Sequence, residues 1–282
     1  MVPAVAPRPP YRRLACSAAL ALVLTACGVE PPPPMPAPAP TGTTSAIAPS
    51  ARAPQFPAVP PAGTPEPGEA PRRRAWPRAG VSPDPRPPQG PVPAPPAAGS
   101  LLLPAVCCSE PRGGRQVDAI VIHTTELEDR RGTGDLLRLA TFFSRAGRSA
   151  HVANDADGLS ARMVPDGRFA FHSTYWNVST VGLEQMGFSA FQPADWRQRA
   201  VQLESSARWI AYWAGRHRVP IRRCEVTGLR YNRTDRVVAG TIVKRGVCSH
   251  GQLDPRNRHD PGAAYPWDAV LRRARAIVAQ AG

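Results

Sequence analysis

His123 ends an apolar, β-branched run, Val121-Ile122-His123-Thr124-Thr125, and a second histidine, His250, stands ten residues before Asp260. Two imidazoles and a carboxylate are the ligand set of a catalytic zinc site whose fourth position stays open. If these three groups converge, the chemistry on offer is zinc-dependent hydrolysis. His259 adjoins Asp260 and competes for the third place. Neighbouring residues rarely aim at one ion, and residue types alone leave that choice open.

The elements that must position these groups form an α/β pattern. Residues 117 to 123 read as a buried strand, with Ala119, Ile120, Val121 and Ile122 in one run. A helix opens at Thr133 or Gly134 and ends near Gly147. Short strands follow over residues 150–154, 161–164 and 168–172, separated by the turns Asp155-Ala156-Asp157-Gly158 and Pro165-Asp166-Gly167. Residues 180–184 read as a further strand. One long helix is expected over residues 193–217, and a closing amphipathic helix over residues 266–280 with proline in its first turn. The fold class is a single α/β domain with a central mixed β-sheet flanked by helices. His250 and Asp260 lie on an irregular segment containing Gly251, Pro255, Pro261 and Gly262, which can fold back and present both side chains to one point.

Composition confines that domain to the C-terminal part of the 282-residue chain. Of its 36 prolines, 25 lie between Pro31 and Pro104. Such sequence buries too little apolar surface to offset its ordering entropy. Residues 27–104 are therefore expected to be a disordered tether with polyproline II character, and residues 105–282 the domain. All six histidines and five of the six tryptophans fall in that domain. The formal charge of +14 leaves about +9 on the domain once nine basic and four acidic residues before Ala105 are removed. That balance favours polyanions such as anionic wall polymers or lipid headgroups. Nucleic acid is disfavoured, because the charge is scattered and no basic run is interleaved with aromatics. Arg72-Arg73-Arg74 reads as solvated charge.

The first 26 residues read as an export signal. Arg8, Arg12 and Arg13 precede an Ala/Leu-rich stretch, Leu14 to Ala26, that is too short to span a bilayer comfortably. Leu24-Thr25-Ala26-Cys27 resembles a bacterial lipobox, which implies lipidation at Cys27. The expected place is the cell envelope, in the periplasm or on the outer face of the plasma membrane. In that oxidising setting Cys224 and Cys248 are expected to bridge an insertion-like stretch; pairing of either with Cys107 or Cys108 is the rival.

Six ordered motifs resemble the type 2 N-acetylmuramoyl-L-alanine amidases, whose fold is shared by phage lysozyme-type amidases, cell-wall recycling amidases and peptidoglycan recognition proteins. Val121-Ile122-His123 matches the strand with the first zinc ligand, Ser249-His250 the second, and Arg258-His259-Asp260-Pro261-Gly262 the third. The resemblance implies that Asp260 is the ligand and His259 a spacer. Tyr265-Pro266-Trp267, Ser149-Ala150-His151-Val152 and the strand from Asn177 to Glu184 also match. It implies a zinc cofactor, Glu184 as general acid–base, and a cleft wall formed by His172, Trp176 and Asn177. His151 is expected to be a packed histidine, and His217 a surface residue. Arg258 stands where many relatives carry lysine, in a place suited to stabilising an oxyanion, although its planar fork differs from an ammonium. Ala150 stands where phage-type relatives carry tyrosine, so the glutamate-dependent recycling amidases are the nearer analogue. The implied activity is hydrolysis of the amide between N-acetylmuramic acid and L-alanine by a monomer, with a peptidoglycan-binding module that does not cleave as the alternative.

Overall fold

In the computed structural model the described residues are 82–96, 100–103, 107–130 and 133–282. The expected signal segment, Cys27, Arg72-Arg73-Arg74 and most of the tether lie outside them.

The chain runs β1 (Ser100–Leu102), β2 (Ser109–Pro111), β3 (Ala119–Thr124), α1 (Thr133–Arg145), β4 (Val152–Asn154), β5 (Ser160–Arg162), β6 (Arg168–Ala170), a 3-10 helix (Thr174–Ser179) and β7 (Thr180–Gln185). It continues through α2 (Pro193–Arg197), α3 (Ala200–His217), β8 (Glu225–Tyr231), β9 (Val237–Lys244), β10 (Gly246–Ser249), α4 (His250–Leu253) and α5 (Trp267–Ala281). Six strands form the mixed central sheet in the order β1-β5-β4-β7-β3-β10. The four from β4 to β10 run parallel, and β5 is antiparallel to β4.

Period-2 alternation assigns the two faces of the sheet. Ile120 and Ile122 of β3, Val181 and Leu183 of β7 and Val152 of β4 share one core with Trp209, Ile210 and Trp213 of α3 and Val270, Leu271 and Ala274 of α5. On the other face Ala119 and Val121 pack with Trp176, Cys248 and residues of the β8–β9 hairpin, while Leu136, Leu139 and Phe143 of α1 cover Ala150, Ala153 and Ala161. His123 and Glu184 are register partners near the C-terminal ends of β3 and β7.

Several expectations need correction. The helix expected over residues 193–217 is two: Gln198 caps α2, and Arg199 reaches Asp129 before α3 begins. The insertion after Cys224 is the β8–β9 hairpin; the Cys224–Cys248 bond that closes it is the pairing expected. Cys107 is bonded to Cys108, its neighbour, rather than to either of those.

The described part of the expected tether packs on the domain. Arg86 donates to Asp118 at 2.8 Å and to the His217 carbonyl at 2.7 Å. Asp84 accepts from Arg222 and from the Arg245 backbone, both at 2.7 Å, and β1 adds an edge strand to β5. Charge pairs placed between prolines, and backbone pairing that needs no apolar side chain, explain why composition missed this. Among the described residues no helix is long and apolar enough to cross a membrane.

Candidate metal centre and cleft

Two parallel strands and one loop bring the ligand candidates together. β3 carries His123, and β10 lies alongside it with Ser249 opposite Ile122, so His250 emerges beside His123. Ser249 Oγ accepts from the Gln252 amide at 3.0 Å, and Gln252 Oε1 accepts from the Ser249 amide at 3.1 Å. This capping box fixes where α4 starts, and so where His250 points. The loop bearing Asp260 is tied on both sides. The Gly251 amide donates to the Asp260 carbonyl at 3.1 Å. Arg256 pairs with Asp235 at 2.9 Å and lies 4.1 Å over the Tyr231 ring, so the hairpin tip braces the loop. Gly262, at φ 95°, passes so close to the Ser189 carbonyl that a Cβ would lie 2.0 Å from its oxygen, so only glycine fits.

The donor atoms converge. His123 Nδ1 lies 3.0 Å from His250 Nδ1 and 3.1 Å from Asp260 Oδ2, and His250 Nδ1 lies 3.2 Å from that oxygen. Tetrahedral ligands about 2.0–2.1 Å from zinc stand about 3.3 Å apart, so the spacing fits that ion closely. The donor chemistry fits as well. Burial, then the neighbouring His123, pushes the His250 pKa down to about 4 and keeps that imidazole neutral. Burial raises the Asp260 pKa, but hydrogen bonds with His123 and His250 outweigh it and hold the carboxyl ionised. Burial opposes charge on His123, but Glu184 and Asp260 prevail and raise its pKa. A positive charge is therefore favoured where the three meet. His259 is exposed and is not part of the cluster.

Glu184 is 8% exposed, and among the described residues its carboxylate has no hydrogen-bond or ion-pair partner. Burial, with Asp260 adding to it against the pull of His123, raises its pKa to about 7. A carboxylate left unpaired beside the ligand cluster can take up and return a proton near neutrality. Arg258 is half-buried, near enough for its charge to act on both Glu184 and His123.

The expected cleft wall is built differently. His172 Nδ1 lies 2.9 Å from His123 Nε2, so the ring backs the ligand. Trp176 is 1% exposed, with its indole N–H on the Leu253 carbonyl, and is a core residue. Asn177 is also interior: its Oδ1 accepts from the His172 and Ser173 amides at 3.0 and 2.7 Å and fixes the turn that carries His172. Both fall in the 3-10 helix, whose buried side the polar Asn177 conceals in sequence. His151 is packed as expected, its Nδ1 accepting from the Gly182 amide at 3.0 Å. His217 is half-buried rather than at the surface, because Arg86 covers the end of its helix.

Two residues of the site went unread in sequence. Gly182 lies beneath His172, where a Cβ would meet the ring at 2.6 Å, and Thr180 Oγ1 contacts His172 Nε2 at 3.1 Å. The signal for Gly182 was present, since glycine inside a strand often marks a close approach.

Residues 113–263 match the family model described as N-acetylmuramoyl-L-alanine amidase. No curated protein matches the chain. Among solved structures, N-acetylmuramoyl-L-alanine amidase LysC from Clostridium intestinale URNW is 12% identical over 62% of this chain and 97% of that one, with a TM-score of 0.42. A selenomethionyl AmpD derivative is 17% identical over 64% and 94%, with a TM-score of 0.45. Drosophila PGRP-LB is 14% identical over 58% and 88%, with a TM-score of 0.41. Likenesses this distant add nothing to what the site itself shows.

Proposed function

Because the chain belongs to the N-acetylmuramoyl-L-alanine amidase family, we propose that it hydrolyses the amide between N-acetylmuramic acid and L-alanine in peptidoglycan or its fragments. The observation that carries this reading is the convergence of His123, His250 and Asp260 beside an unpaired Glu184. These three residues would hold zinc, which when bound supplies Lewis-acid activation of water and of the amide carbonyl. Of these three, only Asp260 carries a negative charge when both imidazoles are neutral, so they would leave a bound dication with a net positive charge to face a developing oxyanion. Glu184 accepts the proton of the attacking water and delivers it to the alanine nitrogen as the C–N bond breaks. Arg258, near enough for its charge to act on Glu184 and His123, adds a cation suited to the oxyanion.

The remaining assignments rest on the sequence. Cys27 would carry the lipid, and the enzyme would work as an exported, envelope-anchored monomer on peptidoglycan. Mass spectrometry of peptidoglycan treated with the full chain tests the reaction. Free L-alanine amines should appear, and Glu184→Gln should lower their rate by at least about 100-fold. Wall binding without new amines from the zinc-loaded chain would make this a recognition module instead.

A further inference from the structure

The geometry points to Cys107–Cys108 as a thiol–disulfide exchange site whose oxidised form holds the segment that carries His172. The inference stands apart from the zinc reading, since neither cysteine belongs to the ligand cluster.

Two disulfides form among the described residues, and they differ in kind. Cys224–Cys248 spans 24 residues, and both its cysteines are buried. Closing a loop of that length restricts the unfolded chain, a route by which a disulfide stabilises a fold. Cys107–Cys108 joins sequence neighbours, so its ring encloses a single peptide unit and restricts the unfolded chain hardly at all. Both of its cysteines are half-exposed, within reach of an external thiol. Exposed disulfides are the labile ones, whereas buried structural ones resist reduction. Cys107 Sγ also lies 3.4 Å from the Ser144 carbonyl in the last turn of α1, an acceptor already placed for the S–H that reduction creates.

The bond fixes backbone on which the cleft leans. Cys108 holds φ 72°, in the left-handed region that a residue with a side chain keeps only under constraint from its surroundings. Its carbonyl accepts the hydrogen of the Ser149 hydroxyl. Ser149 is buried, and its Oγ accepts from the Phe171 amide at 2.8 Å while its own amide donates to the Phe171 carbonyl at 3.2 Å. Phe171 precedes His172, the ring that backs His123. Cys108 also leads directly into β2, which pairs with β6, and β6 ends two residues before His172. Reduction opens the ring, Cys108 relaxes out of the left-handed region, and its carbonyl turns away from Ser149. The hydroxyl then loses its acceptor, and the support of Phe171 loosens.

The co-reactant is an external dithiol, and the exchange balances. One of its thiolates attacks a sulfur of the pair, the S–S bond breaks, and the other cysteine leaves as a thiolate that takes up a proton. The second thiol of the dithiol then displaces the remaining cysteine. The dithiol ends as a disulfide, oxidised by two electrons, and the pair ends as two thiols.

The test uses the full chain with dithiothreitol as the dithiol, and with chelator present throughout so that no metal binds the new thiols or the ligand cluster. Released thiols would be alkylated and located by peptide mass. Cys107 and Cys108 should be labelled at least about 10-fold faster than Cys224 and Cys248. Amide hydrogen exchange at Ser149 and Phe171 would be followed in the same samples. Reduction of the pair should speed it by at least about 10-fold, and the double variant Cys107→Ser/Cys108→Ser should exchange at the faster rate without reductant. Labelling of Cys107, Cys108, Cys224 and Cys248 together would overturn the inference. So would Ser149 and Phe171 amides that exchange alike in oxidised and reduced chains, or an air-oxidised chain with no bond between Cys107 and Cys108. No cleavage is read, so these outcomes are separate from those that test the proposed function.

Discussion

Replacing Gly182 by alanine strikes the atom that holds His123 in place. The added Cβ would lie 2.6 Å from His172 Nδ1 and 2.8 Å from Cγ and Cε1 of the same ring. Ordinary carbon contacts begin near about 3.5 Å, so the ring must retreat by about 1 Å. The 2.9 Å contact between His123 Nε2 and His172 Nδ1 would then open to about 3.9 Å, outside hydrogen-bonding range. Overpacking of this kind costs about 1–3 kcal/mol, and the lost hydrogen bond about 1 kcal/mol more. For a domain of this size that corresponds to a fall in Tm of about 5–12 °C. Zinc affinity should drop about 10-fold, because His123 loses its outer partner. Urea unfolding and zinc competition on the full chain measure both effects. Stability within about 0.5 kcal/mol of wild type, together with unchanged zinc affinity, would refute the close packing of His172 on β7.

Two further predictions concern the scaffold. Asp155 is wholly buried; its Oδ1 accepts from the Asp157 and Leu159 amides, its Oδ2 has no partner, and burial followed by Asp129 raises its pKa to about 6. The folded state thus holds a proton that the unfolded chain releases near pH 3.9, so this group costs stability as pH rises from about 4 to 6. Asp155→Asn should stabilise by about 1–2 kcal/mol at pH 8 and by almost nothing at pH 4, and an equal effect on the urea midpoint at both pH values would contradict this. Asp118 accepts from Arg86 at 2.8 Å and Arg245 at 2.9 Å, all three largely buried, so Asp118→Ala should cost about 3 kcal/mol by urea unfolding. A loss below about 1 kcal/mol would mean that residues 82–96 do not stay docked on the domain.

Much of the site was legible because its chemistry coincides with sharp local patterns. The β-branched run before His123 marks a buried strand, and the histidine lies near the C-terminal end of that strand. The Asp-x-Asp-Gly and Pro-Asp-Gly turns separate β4, β5 and β6 where expected. The hairpin over Glu225–Lys244 was not legible, because its exposed arginines, its bulges and Gly228 at φ 65° blur the alternation. Trp176 and Asn177 were misjudged for a different reason. An aromatic next to an amide looks like a binding wall in sequence. Here Asn177 instead satisfies two turn amides, and Trp176 fills the space under Gly240. The contacts from Thr180 through His172 to His123 join residues that meet only after the sheet has formed.

The most direct test of the central claim is metal dependence of amide cleavage. Purified peptidoglycan would be treated with the full chain as prepared, after chelation, and after zinc is restored, with release of stem peptides followed by mass. The account predicts that release stops on chelation and returns with zinc at about one equivalent per chain, because only one ligand cluster of this kind occurs among the described residues. Release that continues at the same rate in the chelated, metal-free chain would contradict it.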